Sequence, residues 1–275
     1  MSKINIQNLP SSPRFMRAFV ARPNHKIVYT DFDALEFKVA AHLTQDKSLM
    51  SLYGPNAKPN DAHLFNAANM RLFADEIQKY YNPLDPTPEG IRLAKENCHT
   101  VRQIVKMAGY AMSYGAQPPK IYDELRTAGY DVTLRDAHQI FDDYWNTYSG
   151  IVRFTQKLQQ MWQDNGRWVY NGRGRPLCVP GKYKKDLYNR VVQATGHDCL
   201  MRYVEILDQR LTGLEAYPWD VDKHDATAWE VHEDQAEEVK EMMQGVYPAL
   251  NSELQWTVDI TGDVKIADNL GELVG

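Results

Sequence analysis

The sequence predicts an α+β fold, with hairpins and single strands set around a large helical insertion. Three observations lead there. Residues 26–31, KIVYTD, form a short apolar run that ends in an acid. Helical spacing then dominates from Asp61 to about Gln163. Two segments that alternate like hairpins follow, at 167–181 and 219–231, with a long helical stretch between them. Strand, helical insertion, hairpin, helix, hairpin, helix, strand suits an antiparallel sheet with a separate helical lobe.

Each element has a local reason. Residues 34–43, ALEFKVAAHL, place Leu35, Val39 and Leu43 four apart, as a helix requires. Asp33 immediately precedes that run and is the expected N-cap, which leaves Asp31 without a structural task. GPNAKPN at 54–60 is a loop, and the helical insertion is interrupted at 81–90 (YNPLDPTPEG) and at Gln117-Pro118-Pro119. RWVYNGRGRPLCVPG at 167–181 alternates around Asn171-Gly172 and predicts a hairpin. A helix is expected from about Lys184 to Leu211. Residues 219–231 form a second hairpin with His224-Asp225 at its tip. A helix over 233–243 and a final strand, LQWTVDI, at 254–260 close the chain.

Bulk properties narrow the class. A chain of 275 residues, 43% hydrophobic, can bury one large core or two smaller ones. It has no apolar run of about 18 residues, so no membrane span is expected. MSKINIQNLPSSP lacks the apolar region of a secretory signal. Cys98, Cys178 and Cys199 have spacings that suit neither a disulfide framework nor zinc. Buried, reduced thiols in a cytoplasmic protein are expected. The net charge of −5 argues against nucleic acid, but its distribution is uneven. Gly166–Arg190 carries seven Lys or Arg and one acid, whereas Gly213–Gly275 carries fifteen Asp or Glu and three Lys. A basic stretch is commonly a solvated surface; beside the features below it also reads as a phosphate track.

Three constellations could carry chemistry. Asp31 alone could cap a helix, and Asp225 alone is an ordinary turn residue. Together, on adjacent strand ends, two carboxylates could share a pair of divalent cations about 3.5–4 Å apart. Oxygen ligands suit magnesium. Arg102, Lys106, Tyr110 and Tyr114 are four apart and are followed by Gly115. They form either a mixed surface stripe or a groove-facing one, with cations for a triphosphate and rings for bases. Lys185, Asn189 and Gln193, again four apart, are either the wet face of a helix or readers of base edges.

In order, these blocks resemble the family A, or DNA polymerase I-like, DNA polymerases. INIQNLP (4–10) resembles the segment before the palm. TDFDALEFKVAAHL (30–43) resembles motif A. DAHLFNAA (61–68) resembles the DIHxxTA block, and RQIVKMAGYAMSYG (102–115) resembles motif B with every spacing intact. YNRVVQATGHD (188–198) resembles the NxxxQGTAAD helix, and HDATAWEV (224–231) resembles motif C. The resemblance covers nearly the whole chain.

It implies a palm built on an antiparallel sheet (1–48 and 166–275) and a mostly helical fingers subdomain (49–165). It implies two magnesium ions, replaceable by manganese, on Asp31, Asp225 and the Phe32 carbonyl. His63 and Arg102 would contact the outgoing phosphates, and Lys106 would bind the triphosphate and protonate the leaving pyrophosphate. Tyr110 would pack on the nucleotide, and Glu36 would exclude a 2′-hydroxyl. Tyr114, Gly115, Lys185, Asn189, Gln193 and His224 would meet the primer-template DNA. dNTPs are the implied substrates, in the cytoplasm of a bacterial or phage-infected cell.

The sequence departs from the pattern at Ala226, where the family has Glu, and at Lys185, where Arg is usual. No thumb or exonuclease domain precedes INIQNLP, so the expectation is either a second polypeptide supplying one, as in a split bacteriophage polymerase, or a compact polymerase with weak DNA retention. Two other readings stand beside this one: a non-catalytic subunit of a split polymerase, favoured by Ala226, and a single-subunit RNA polymerase-like enzyme, opposed by Glu36.

Overall fold

A computed structural model of the chain describes residues 13–113, 115–223 and 225–273. The INIQNLP segment, Tyr114 and His224 lie outside the described residues. In chain order the elements are α1 (Pro13–Met16), β1 (His25–Phe32), α2 (Leu35–Thr44), α3 (Lys47–Tyr53), α4 (Ala62–Ala68), α5 (Ala74–Ile77), α6 (Pro88–Asn97) and α7 (His99–Ser113). They continue with α8 (Pro118–Thr127), α9 (Leu134–Thr147), α10 (Ser149–Asp164), β2 (Trp168–Tyr170), β3 (Pro176–Cys178) and α11 (Leu187–Arg210). β4 (Ala216–Lys223), β5 (Ala226–His232), α12 (Ala236–Leu254) and β6 (Gly262–Ala267) complete the chain. It divides into two compact units: Met1–Glu36 with Ala194–Gly275, and Phe37–Gln193.

The first unit holds an antiparallel sheet of order β4-β5-β1-β6. β1 is interior, and Ile27, Val28, Thr30 and Phe32 are all buried, as a central strand's apolar run requires. One aromatic cluster fixes this sheet to its helices. Phe32 from β1 meets Tyr203 from α11 at 5.2 Å and Tyr247 from α12 at 5.3 Å, ring to ring. The buried hydroxyls are satisfied: Tyr203 donates to the Met243 carbonyl, and Tyr247 pairs with Thr30 at 2.6 Å.

Gly262 opens β6 at the point of closest approach. A Cβ there would overlap the Tyr247 hydroxyl and the Asp31 carbonyl. Gly262→Ala is therefore expected to force backbone apart beside Asp31 and cost about 1–3 kcal/mol. Urea unfolding checks this, and an unchanged midpoint would contradict the packing.

The second unit is helical, with one two-stranded hairpin. Buried carboxylates fasten its helices. Asp46 caps α3 and also accepts from the Gly150 N–H of α10 at 2.6 Å, while Asp143 of α9 holds Arg71 at 2.8 Å. In β2 and β3 the inner face buries Val169 against Leu158, Val179, Leu187 and Val191.

The hairpin expected at 167–181 forms, and four other expectations need correction. Asp33 does not cap α2, because Ala34 takes a left-handed turn (φ 49°) before the helix and the Asp33 carboxylate accepts from the Thr261 hydroxyl. The hairpin loop spans five residues: Asn171 Oδ1 accepts from the N–H groups of Arg173 and Arg175, and Gly174 carries the positive φ. Lys185 sits in a 3-10 turn, Gly181–Asp186, before α11 rather than within it. Cys178 is exposed on the hairpin, and only Cys98 and Cys199 are buried. The final strand is β6, not 254–260. Gln255 ends α12 in a left-handed conformation (φ 49°), and the side chain of Asn251 then bonds both the N–H and the carbonyl of Ile260. The alternating Val258 and Ile260 are buried in that pinned loop, not in a sheet.

Candidate active site

Two constellations of side chains form, one in each unit. In the first, β1 and β5 bring the two candidate acids together. Asp31 faces Ala226 in register, and the Phe32 N–H donates to the Asp225 carbonyl at 2.8 Å. A strand residue's N–H and carbonyl point the same way, so the Phe32 carbonyl is directed toward the same strand. Tyr29, two residues before Asp31, reports on both carboxylates. Its phenol is pushed well above the usual tyrosine range by burial first, then by the charges of Asp31 and Asp225, and it hydrogen-bonds Asp31. Ala226, buried opposite Asp31, brings no carboxylate.

On the other side of Asp31 the cross-strand partner is Asp263 of β6. Asp31 and Asp263 are thus direct cross-strand neighbours, with Asp225 in the turn next to Ala226, and like charges opposite one another are unfavourable without a counter-ion. Sequence reading missed Asp263 because it put the last strand too early. Glu36 occupies the first turn of α2. Among the described residues, no group of three or more His, Cys, Asp or Glu is arranged as a metal cage.

The second constellation lies on α4 and α7. Val101, Ile104, Val105, Ala108, Ala111 and Met112 bury one side of α7. That leaves Arg102 and Lys106 half-buried, and Tyr110 48% exposed, on the other. Asp61 organises this stripe. It caps α4 through the N–H groups of His63 and Leu64, pairs with the Arg102 guanidinium at 2.8 Å, and meets Lys95 at 3.2 Å. Burial would raise the Asp61 carboxyl, but the Arg102 hydrogen bond, the Leu64 N–H and the Lys95 contact hold it down to about 2. Sequence reading missed Asp61; its place at a helix start, three residues before an apolar run, was the available signal.

The His63 ring lies 6.1 Å from the Tyr110 ring. Burial lowers its pKa to about 4, with Arg102 and Lys106 adding to the effect against the opposing pull of Asp61. His63 is therefore neutral at pH 7. Because its folded pKa lies below the ordinary 6.5, stability should fall as pH drops from 6.5 toward 4. The slope from this group is below about 1.4 kcal/mol per pH unit, since the ring is partly exposed. His63→Gln should flatten that part of the unfolding profile, and an identical profile would contradict the ring's placement.

α7 ends in a Schellman turn. Gly115 has φ 79°, its N–H reaches the Met112 carbonyl, and the Ala116 N–H reaches Ala111. Tyr110, Gly115, Lys120 and Lys185 line a cavity of about 650 Å³. Lys185, Asn189 and Gln193 line a second, of about 590 Å³, with Lys182, Tyr183 and Arg190. The basic stretch thus faces an open groove in part.

Comparisons with known proteins agree with the sequence blocks. The model of DNA polymerase family A matches residues 1–272. A DNA polymerase of Mycobacterium phage D29 is 26% identical over 71% of this chain. The thermostable DNA polymerase I of Thermus filiformis is 24% identical over 89% of it. The chain spans 28% of the length of each of these relatives. In fold, it is similar to the POL domain of Pol1 from M. smegmatis, solved in complex with DNA primer-template and dNTP. The TM-score is 0.72 at 19% identity, covering 98% of this chain and 45% of that one.

Proposed function

Because the chain belongs to DNA polymerase family A, we propose that it adds dNTPs to a primer 3′ end under the direction of a template. The observation that supports this reading is the placement of Asp31 near the end of β1 and Asp225 in the turn that opens the neighbouring β5, where both charges act on Tyr29. The donor set fits magnesium: two carboxylates and the Phe32 carbonyl, all oxygen. Those three groups would hold the ions. Magnesium, when bound, supplies Lewis-acid stabilisation of the attacking and leaving oxygens.

The chain's own part is positioning and charge. Arg102 and His63 would contact the outgoing phosphates, with Asp61 fixing the guanidinium and neutral His63 donating one hydrogen bond. Lys106 would bind the triphosphate and give a proton to the departing pyrophosphate. Tyr110, half exposed, offers its ring to the incoming nucleotide. Gly115 gives the template room, and Lys185, Asn189 and Gln193 would touch the primer-template. Tyr114 and His224 are assigned to the same contact by motif alone.

Primer extension in magnesium, with dNTPs or rNTPs, tests the reading. Template-dependent growth from dNTPs is expected. No growth would refute it, and preference for rNTPs would favour the RNA polymerase-like alternative. Glu36 is proposed to lie against the sugar. Glu36→Ala should reduce discrimination against ribonucleotides by about tenfold or more, measured as the ratio of kcat/KM values; an unchanged ratio would sink that assignment.

A further inference from the structure

One face of β1 runs from core to site. Alternation puts Val28, Thr30 and Phe32 on one side of the strand, and Phe32 and Thr30 meet α11 and α12 there. Ile27, Tyr29 and Asp31 share the other side, and in that order they are buried, half-buried and exposed. The Tyr29 ring is anchored. It packs on the cluster of Met16, Ile27, Ala228 and Leu270, and Ala228 is its cross-strand neighbour on β5. A ring held at its base in this way places its hydroxyl at a fixed height, one strand repeat from Asp31, and the two groups hydrogen-bond.

Nothing opposite Asp31 on the neighbouring strands can do the same. On β5 the facing residue is Ala226, whose methyl neither donates nor accepts. On β6 it is Asp263, a second acid, which repels. An ionised carboxylate only accepts, so the phenol between these groups is the donor. The charge of Asp225 acts on the same phenol, so its hydroxyl lies near both acids. A carboxylate that ligates a metal is usually held by such a hydrogen bond from outside the ligand set.

We propose that Tyr29 is a positioning residue for Asp31: its anchored hydroxyl holds one carboxylate oxygen and leaves the other turned to the side of Asp225, where a shared cation would sit. This rests on the reading of Asp31 and Asp225 as a cation pair. The test is Mn²⁺ affinity by electron paramagnetic resonance, with dNTP and a chain-terminated primer on its template. It compares the native chain with Tyr29→Phe, Tyr247→Phe and Asp31→Asn, beside melting scans and the KM for dNTP at saturating Mn²⁺. Tyr29→Phe removes one oxygen and keeps the packed ring. Tyr247→Phe is the structural control, since that hydroxyl bonds Thr30 on the opposite face of the same strand.

Tyr29→Phe is expected to weaken Mn²⁺ binding by about tenfold or more, with the KM for dNTP at saturating Mn²⁺ unchanged. Tyr247→Phe should melt earlier than the native chain and bind Mn²⁺ as tightly. Native affinity in Tyr29→Phe overturns the proposal, as does an equal loss in both phenylalanine variants, which would be an effect of the sheet as a whole. A KM that stays raised at saturating Mn²⁺, or a Tyr29→Phe chain that melts far below Tyr247→Phe, also overturns it, because the hydroxyl would then have a structural task. Ions that Asp31→Asn loses and Tyr29→Phe keeps would refute the positioning role alone. A native chain that binds no Mn²⁺, or an Asp31→Asn chain that keeps every ion, would refute the cation pair itself.

Discussion

Asp31→Asn and Asp225→Asn are each expected to lower the rate of primer extension by about 10³-fold or more, while leaving thermal unfolding unchanged or slightly raised. The size follows from the work proposed for the pair. Stabilising developing charge through bound cations contributes several kcal/mol, and each 1.36 kcal/mol is tenfold in rate. The sign of the stability effect follows from the acids gathered at this end of the sheet. Asp31 stands opposite Asp263 and beside the strand that starts after Asp225. Without cations these charges repel, so neutralising one relieves the sheet. Asn still accepts the hydrogen bond that Tyr29 makes to position 31. Single-turnover extension and a melting scan check both halves. A variant that melts much earlier would assign these acids a structural task instead.

Asp61→Ala is expected to destabilise the helical unit by about 2–3 kcal/mol and, from the role proposed for Arg102, to raise the KM for dNTP. Two losses add. The N-cap of α4, bonded to the N–H groups of His63 and Leu64, is worth about 1 kcal/mol. The Arg102 guanidinium, 20% exposed, is left without its carboxylate. Asp61→Asn, which keeps a capping oxygen but not the charge, should cost less than Ala. The acid limb provides a second check. A carboxyl held at about 2 stabilises the fold above its ordinary 3.8, and that contribution is lost as pH falls through 2. Urea unfolding at pH 7 and pH 3 measures both effects; equal stability of Ala and native chains at pH 7 would contradict the cap and ion pair.

Much of this arrangement was legible in the sequence because its determinants are local. The apolar run before Asp31 makes β1, the tip at Asp225 makes the β4–β5 turn, and the four-residue spacing of Arg102, Lys106 and Tyr110 puts them on one side of α7. What escaped was set by contacts between distant residues. Asp263 was hidden because period-two alternation at 254–260 looked like a strand, whereas Asn251 pins that segment as a loop. Asp61 drew no notice because its partner, Arg102, lies 41 residues away. Asp33 had the position of a cap but lost it to Thr261 and to the left-handed Ala34. Tyr29 read as one residue of an apolar strand; only the packing of its ring with Ile27 and Ala228 shows the hydroxyl's place beside Asp31.

Asp31 and Asp225 are proposed to grip cations jointly. The direct measurement is a count of bound Mn²⁺ by electron paramagnetic resonance, in the presence of dNTP and a chain-terminated primer on its template. About two ions per chain are expected for the native protein, with loss of at least one in Asp31→Asn and in Asp225→Asn alike. Undiminished Mn²⁺ binding in both variants would contradict it.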